Sequence, residues 1–115
     1  MKGETMKKSI FAVIVIASFF AGLPLFAAGD AAAGKDAYMK KCASCHGPDG
    51  LGKDQIAQMM KIKFTPLGAK EVQAKSDADL KKISIEGGGK MKAVKDVNDT
   101  MADDIVAFLR TFAKK

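Results

Sequence analysis

The sequence predicts an all-α domain, and three observations carry that prediction. A C-terminal stretch places its apolar residues on one helical face. A segment at 76–87 is bounded at both ends by residues that cap helices. No stretch alternates polar and apolar residues with the two-residue period of a strand.

The chain has 115 residues, enough for one domain. Its start reads as a leader. Lys7 and Lys8 form a basic stretch, residues 10–20 are uncharged and mostly apolar, Gly22 and Pro24 break the run, and Ala27, Ala28 and Gly29 follow. That is the layout of a secretory signal peptide. We place it at 1–28, with the cut within a few residues of Ala28, which leaves a domain of 87 residues at 29–115. The uncharged run at 9–28 is 20 residues long, just enough to span a bilayer if it were retained as an anchor. Pro24 and the small residues favour cleavage, so a membrane enters only if the leader is kept.

Three segments of the remaining chain read as helix. The first covers about 30–41, with Asp30 as cap and alanines in its first turn. Ala33, Ala37, Tyr38 and Lys41 share a face there, which turns Tyr38 inward with small residues. The second opens at Ser76 or Asp77. Ser76 and Asp79 resemble a capping box, Leu80 and Ile83 give an inward edge, and Gly87 stands where a C-cap belongs. The third is capped by Asp99 or Thr100. Met101, Ile105, Phe108, Leu109 and Phe112 form its apolar face, with Asp103 and Asp104 near its start and Arg110, Lys114 and Lys115 near its end, as the helix dipole favours. Residues 47–75 are polar and glycine-bearing, with short helical turns expected near 56–60 and 69–73.

Charge excludes one function class. The net charge of +6 comes from 19 basic and 13 acidic residues, and the leader holds Lys2, Lys7 and Lys8 against Glu4. The lysines are spread out, without an arginine-rich run, and the chain has one tyrosine. Nucleic-acid binding needs a basic stripe or a stacking platform. The domain is also small for a core built from side chains alone. Its two cysteines, three positions apart, close too small a loop to staple it.

Those cysteines lie in the run Cys42-Ala43-Ser44-Cys45-His46. Two thiols at this spacing can add across the two vinyl groups of a haem to form thioethers, and the following histidine then lies beneath the iron as an axial ligand. A thioredoxin-like dithiol wants a βαβ context, whereas an alanine-rich helix precedes these cysteines. A structural zinc site needs four ligands, and two cysteines with one histidine fall short. A plain disulfide would leave unexplained why the chain's one histidine directly follows Cys45. One covalent haem c, with its iron, is therefore the expected cofactor. The other ring nitrogen of His46 needs an acceptor. The Pro66 carbonyl is one candidate, although Pro66 reads more simply as a turn residue.

An electron carrier keeps the same six iron ligands in both oxidation states, and a methionine opposite His46 meets that need. Met39 lies too close before Cys42, and Met101 belongs to the apolar face of the last helix. Met91 is the favoured candidate, because it follows Gly87, Gly88 and Gly89, where missing side chains let backbone approach a cofactor. Met59 and Met60 stay open as alternatives.

At this point the chain resembles the class I c-type cytochromes, of the short bacterial periplasmic monohaem type, over essentially all of 29–115. Gly34 and Tyr38 resemble the family's glycine and aromatic pair before the attachment motif. Residues 42–50 match its attachment loop, 80–87 its helix leading toward the sixth ligand, and 105–110 its closing helix. The resemblance implies a small cytochrome c fold whose first and last helices cross around one covalent haem, with Gly34 at the close approach and Tyr38 and Phe108 packed nearby. It also implies His46 and Met91 as axial ligands and a periplasmic location. The family commonly has proline directly after the ligand methionine. Lys92 stands there in this chain, which leaves the loop less stiff and the bond to iron easier to break.

The function that follows is electron transport without enzymatic conversion of a substrate: one electron carried between redox partners by a monomer. Lys40, Lys41, Lys53, Lys90 and Lys92 could surround the haem edge and steer an acidic partner, although each alone is an ordinary solvated charge. Two alternatives have the same motif. One is a haem subunit of a larger oxidoreductase. The other is a haem enzyme or gas sensor with a labile sixth ligand, which would lack a second histidine or an evident acid–base pair.

Overall fold

In a computed structural model that describes residues 29–113, the first helix begins where Asp30 offers a carboxylate to bare N–H groups. That side chain accepts from the backbone of Ala32 at 2.9 Å and Ala33 at 3.3 Å, capping α1 (Ala31–Lys41). Cys42 leaves helical geometry, and a single further turn, α2 (Ala43–His46), carries the rest of the cysteine–histidine motif. The polar middle of the chain holds α3 (Asp54–Met60) and α4 (Lys70–Gln73). Ser76 caps α5 (Asp77–Glu86) by accepting the Asp79 N–H at 3.0 Å, and Gly87 ends it at φ 76°. Asn98 caps α6 (Asp99–Arg110) through the Met101 N–H at 2.8 Å. The only bridge among the described residues is an isolated pair between Gly88 and Met91, so the domain is all-α. The leader at 1–28 lies outside the described residues. No helix among them is long and apolar enough to cross a membrane.

Four details differ from the sequence-based expectations. Asn98 rather than Asp99 or Thr100 is the N-cap of α6, because its side chain reaches the N–H three residues on. Ala33 is exposed, and Gly34 with Tyr38 is what α1 buries. Phe112 lies past the end of α6, yet still packs on the core. The attachment motif forms its own helical turn rather than a plain loop.

Packing centres on α1 against α6, with α5 also packed on α6. At Gly34 the two backbones touch: a Cβ there would collide with the Asp104 carbonyl. Gly29 meets the Asp103 backbone in the same way, and the Asp30 N–H donates to Asp104 Oδ1 at 2.8 Å. Tyr38 is completely buried, its ring centroid 5.1 Å from that of Phe108 and 5.6 Å from that of Phe112. Ala102, Ile105 and Leu109 of α6 complete this cluster. Arg110 fastens the end of α6 to the chain before α5, donating to the Gln73 and Lys75 carbonyls and to Asp77. Lys81 of α5 pairs with Asp103 of α6 at 3.0 Å. These partly exposed ion pairs each contribute at most about 1 kcal/mol to the α5–α6 contact, whereas α1 and α6 meet through buried apolar side chains.

Gly34→Ala is expected to force α1 and α6 apart and to destabilise the domain by about 2–3 kcal/mol. Thermal unfolding would show this as a Tm lowered by roughly 10–20 °C.

Candidate cofactor site

The geometry of the motif follows from its spacing. Residues three and four apart on a helical turn share a face, and the His46 N–H donates to the Cys42 carbonyl at 2.9 Å. Cys42, Cys45 and His46 therefore look the same way. The turn is held from both sides. Tyr38 donates its hydroxyl to the Gly47 carbonyl at 2.6 Å. Gly52 and Lys53 donate back to the His46 and Cys45 carbonyls at 2.7 and 2.9 Å. Gly52 sits at φ 87° where any side chain would collide with the Phe64 ring. Phe64 in turn lies edge-on to His46, with 5.4 Å between ring centroids.

Facing this turn is a cavity of about 840 Å³ lined by Cys42, Cys45, His46, Met59, Met60 and Met91, among others. Its size falls within the roughly 300–1,000 Å³ typical of small-molecule and cofactor sites. A smaller apolar cavity of about 170 Å³ is lined by Cys42, His46, Leu80, Ser84, Met91 and Ile105, among others. Met91 lines both, whereas Met59 and Met60 line only the larger one, and Met59 is 71% exposed. Met39 is exposed and lines neither, and Met101 packs against the core.

Met91 is presented by a tight turn. The Gly88 N–H donates to the Met91 carbonyl and the Met91 N–H to the Gly88 carbonyl, both at 2.9 Å, with Gly89 at φ 57° between them. Gly87 is required beneath it, since a Cβ would strike the Met91 carbonyl. In the structure the three glycines make the turn itself. None of them lines the larger cavity or the smaller one, and Gly88 and Gly89 face open space. They shape the turn that carries Met91.

Burial sets the chemistry of the donors. Desolvation lowers the pKa of His46, which favours the neutral imidazole, the form able to bind a metal. Burial and the neighbouring Cys45 push the Cys42 thiol up to about 11. A thiol held protonated is a poor redox dithiol, against the thioredoxin-like alternative. His46 Nδ1 is buried with no hydrogen-bond partner among the described residues. The Pro66 carbonyl instead accepts from Ala69 at 2.9 Å, so Pro66 is the turn residue its ordinary reading makes it.

Lys41, Lys90 and Lys92 line the larger cavity, joined by Lys63 and Lys95, and no acidic residue does. Lys40 and Lys53 are exposed elsewhere. Arg110 lines neither cavity. Phe64, Gly52, Ser84 and the Tyr38–Gly47 bond escaped the sequence reading. Each depends on how the loop at 47–75 or α5 folds over the motif, and no local pattern announces it.

A helical domain whose first and last helices pack at a glycine, with two thiols and a histidine on one turn facing an apolar cavity, is a class I c-type cytochrome domain. The chain belongs to the family described as cytochrome C oxidase, cbb3-type, subunit III, whose model matches residues 29–109. Neither a curated protein nor a solved structure matches it significantly. Its cofactor is accordingly covalently bound haem c with its iron, and its activity is haem-based electron transfer with redox protein partners. The residues fit that group: the cavity is large enough and is lined by both thiols and by His46.

Gly87→Ala places a side chain at positive φ against the Met91 backbone. It is expected to destabilise the domain by about 1–3 kcal/mol in chemical denaturation, with the amide signals of Met91 and Lys92 shifting more than those of α1.

Proposed function

We propose that the protein is an exported monohaem carrier, cleaved after about Ala28 and working in the periplasm as a domain of residues 29–115. In this reading Cys42 and Cys45 would form the two thioethers, and His46 and Met91 would be the iron's two protein ligands. The observation that carries it is that Cys42, Cys45, His46 and Met91 line one apolar cavity. Met91 is preferred to Met59 and Met60 because it also lines the inner cavity beside His46.

Bound haem supplies a one-electron Fe(II)/Fe(III) couple. The protein's own part is to hold geometry. The Tyr38 hydroxyl and the Gly52 and Lys53 amides pin the turn bearing His46. Burial pushes the Tyr38 pKa well above the ordinary phenol range, so this donor keeps its proton near neutral pH. The paired Gly88–Met91 amides restrict the far side, limiting rearrangement when charge changes. Lys41, Lys63, Lys90, Lys92 and Lys95 give the cavity rim one sign of charge, which would steer an acidic partner and weaken with salt. We take the carrier to be a monomer with no substrate to convert. A second reading is favoured by the family's description as an oxidase subunit: a haem subunit within a larger oxidoreductase.

The oxidised haem-loaded protein is expected to show a sulfur-to-iron charge-transfer band, and the reduced protein not to bind carbon monoxide rapidly. Met91→Ala should abolish the band and admit carbon monoxide at once. A band that survives in Met91→Ala reassigns the ligand to Met59 or Met60. A wild type with no band and immediate binding sinks the carrier reading. Intact mass of the exported protein is expected to correspond to a chain starting near Gly29, and gel filtration of native extracts separates a free carrier from a subunit.

A further inference from the structure

Apart from the Tyr38 hydroxyl, Ser84 carries the one polar side-chain group among the described buried core residues. It stands in the third turn of α5 on the wall of the inner cavity, where Leu67, Leu80, Ile83, Ile105 and Leu109 are apolar neighbours and Tyr38 and Lys75 are the other polar side chains besides Cys42 and His46. The same cavity is lined by His46 and Met91. A hydroxyl in that wall is not what helix stability asks for. Alanine is the better helix former by a few tenths of a kcal/mol, and a serine that bonds back to the preceding turn weakens a helix slightly.

The hydroxyl proton is committed. Ser84 donates to the Leu80 carbonyl at 2.8 Å, in a buried bond. A hydroxyl has one proton and two acceptor lone pairs, so this bond leaves the group with acceptor character alone. It cannot in this arrangement donate to the Met91 sulfur. What it presents is a dipole whose negative end is the oxygen, fixed by the helix, on a wall where the Tyr38 hydroxyl is already committed to the Gly47 carbonyl. At low local dielectric such a fixed dipole acts over several ångströms far more strongly than in water.

We propose that Ser84 is a positioning residue for charge at the iron: its oxygen favours the Fe(III) state and so lowers the reduction potential of the haem. The inference rests on the axial assignment of His46 and Met91 made above, and goes beyond it by naming a residue that touches neither the thioethers nor the ligands' own backbone.

The test is an equilibrium redox titration of haem-loaded wild type, Ser84→Ala and Ser84→Thr, with the charge-transfer band and circular dichroism recorded on the same samples. Ser84→Ala is expected to shift the Fe(II)/Fe(III) ratio at a given ambient potential at least about threefold toward Fe(II), equivalent to about 28 mV for one electron. Its band and helix content should match wild type. Ser84→Thr keeps the hydroxyl and should hold the ratio within about twofold of wild type. A Ser84→Ala ratio that is unchanged or moves toward Fe(III) overturns the proposal, as does a Ser84→Thr protein that behaves like the alanine variant. A wild type lacking the band overturns the axial assignment, and this inference with it. A wild type with the band and no alanine shift overturns this inference alone.

Discussion

Tyr38 is completely buried, and its two ends serve different parts of the molecule. The ring fills the space between α1 and α6 against Phe108 and Phe112, while the hydroxyl reaches the Gly47 carbonyl at 2.6 Å. One end belongs to the helix pair and the other to the loop that closes the attachment turn. A net hydrogen bond of this kind contributes about 1 kcal/mol, but its placement matters more than its size. Because the ring cannot move without disturbing the α1–α6 contact, the hydroxyl gives the motif a fixed reference point in the core. Gly34 makes this possible, since only a residue without a side chain lets α6 approach closely enough to bury the ring.

The core so formed is modest. Apart from Tyr38, Leu80, Val97, Ile105, Val106 and Leu109 are its large buried apolar side chains among the described residues. A small domain with that inventory has little reserve. The cavities adjoin it directly: Tyr38, Leu80, Ile105 and Leu109 line the inner one. Core residues and the attachment motif therefore share one wall, so that a haem bound to Cys42 and Cys45 would draw on the same apolar surface as folding. Protein stability and electron transfer are coupled through these shared walls, so core substitutions near α5 should be judged on both.

Much of this was legible in the sequence, and for local reasons. Caps act over three residues, so Asp30 and Ser76 announced their helices. A 3.6-residue apolar period announced α6, and the thiol–histidine spacing fixes a shared face on a single turn. Where the sequence was ambiguous, several neighbours could do the same job. Asn98, Asp99 and Thr100 are all competent caps, and only the backbone path selects Asn98. Ala33 and Gly34 differ by one position on a helix of small residues, and which faces inward is decided by the partner helix. Phe64, Gly52 and Ser84 were invisible for a stronger reason. Their neighbours lie far along the chain, and no periodicity links Phe64 to His46 or Ser84 to the inner cavity.

Gly29 carries a consequence at the edge of the domain. It lies against the Asp103 backbone where a side chain would collide, and the next residue bonds to Asp104. The chain therefore enters the fold through a slot that admits glycine alone, and the family match begins at the same residue. A heterologous leader joined ahead of Gly29 leaves the α1–α6 seam intact. A fusion scar that puts any side chain at position 29 wedges that seam open at its first contact.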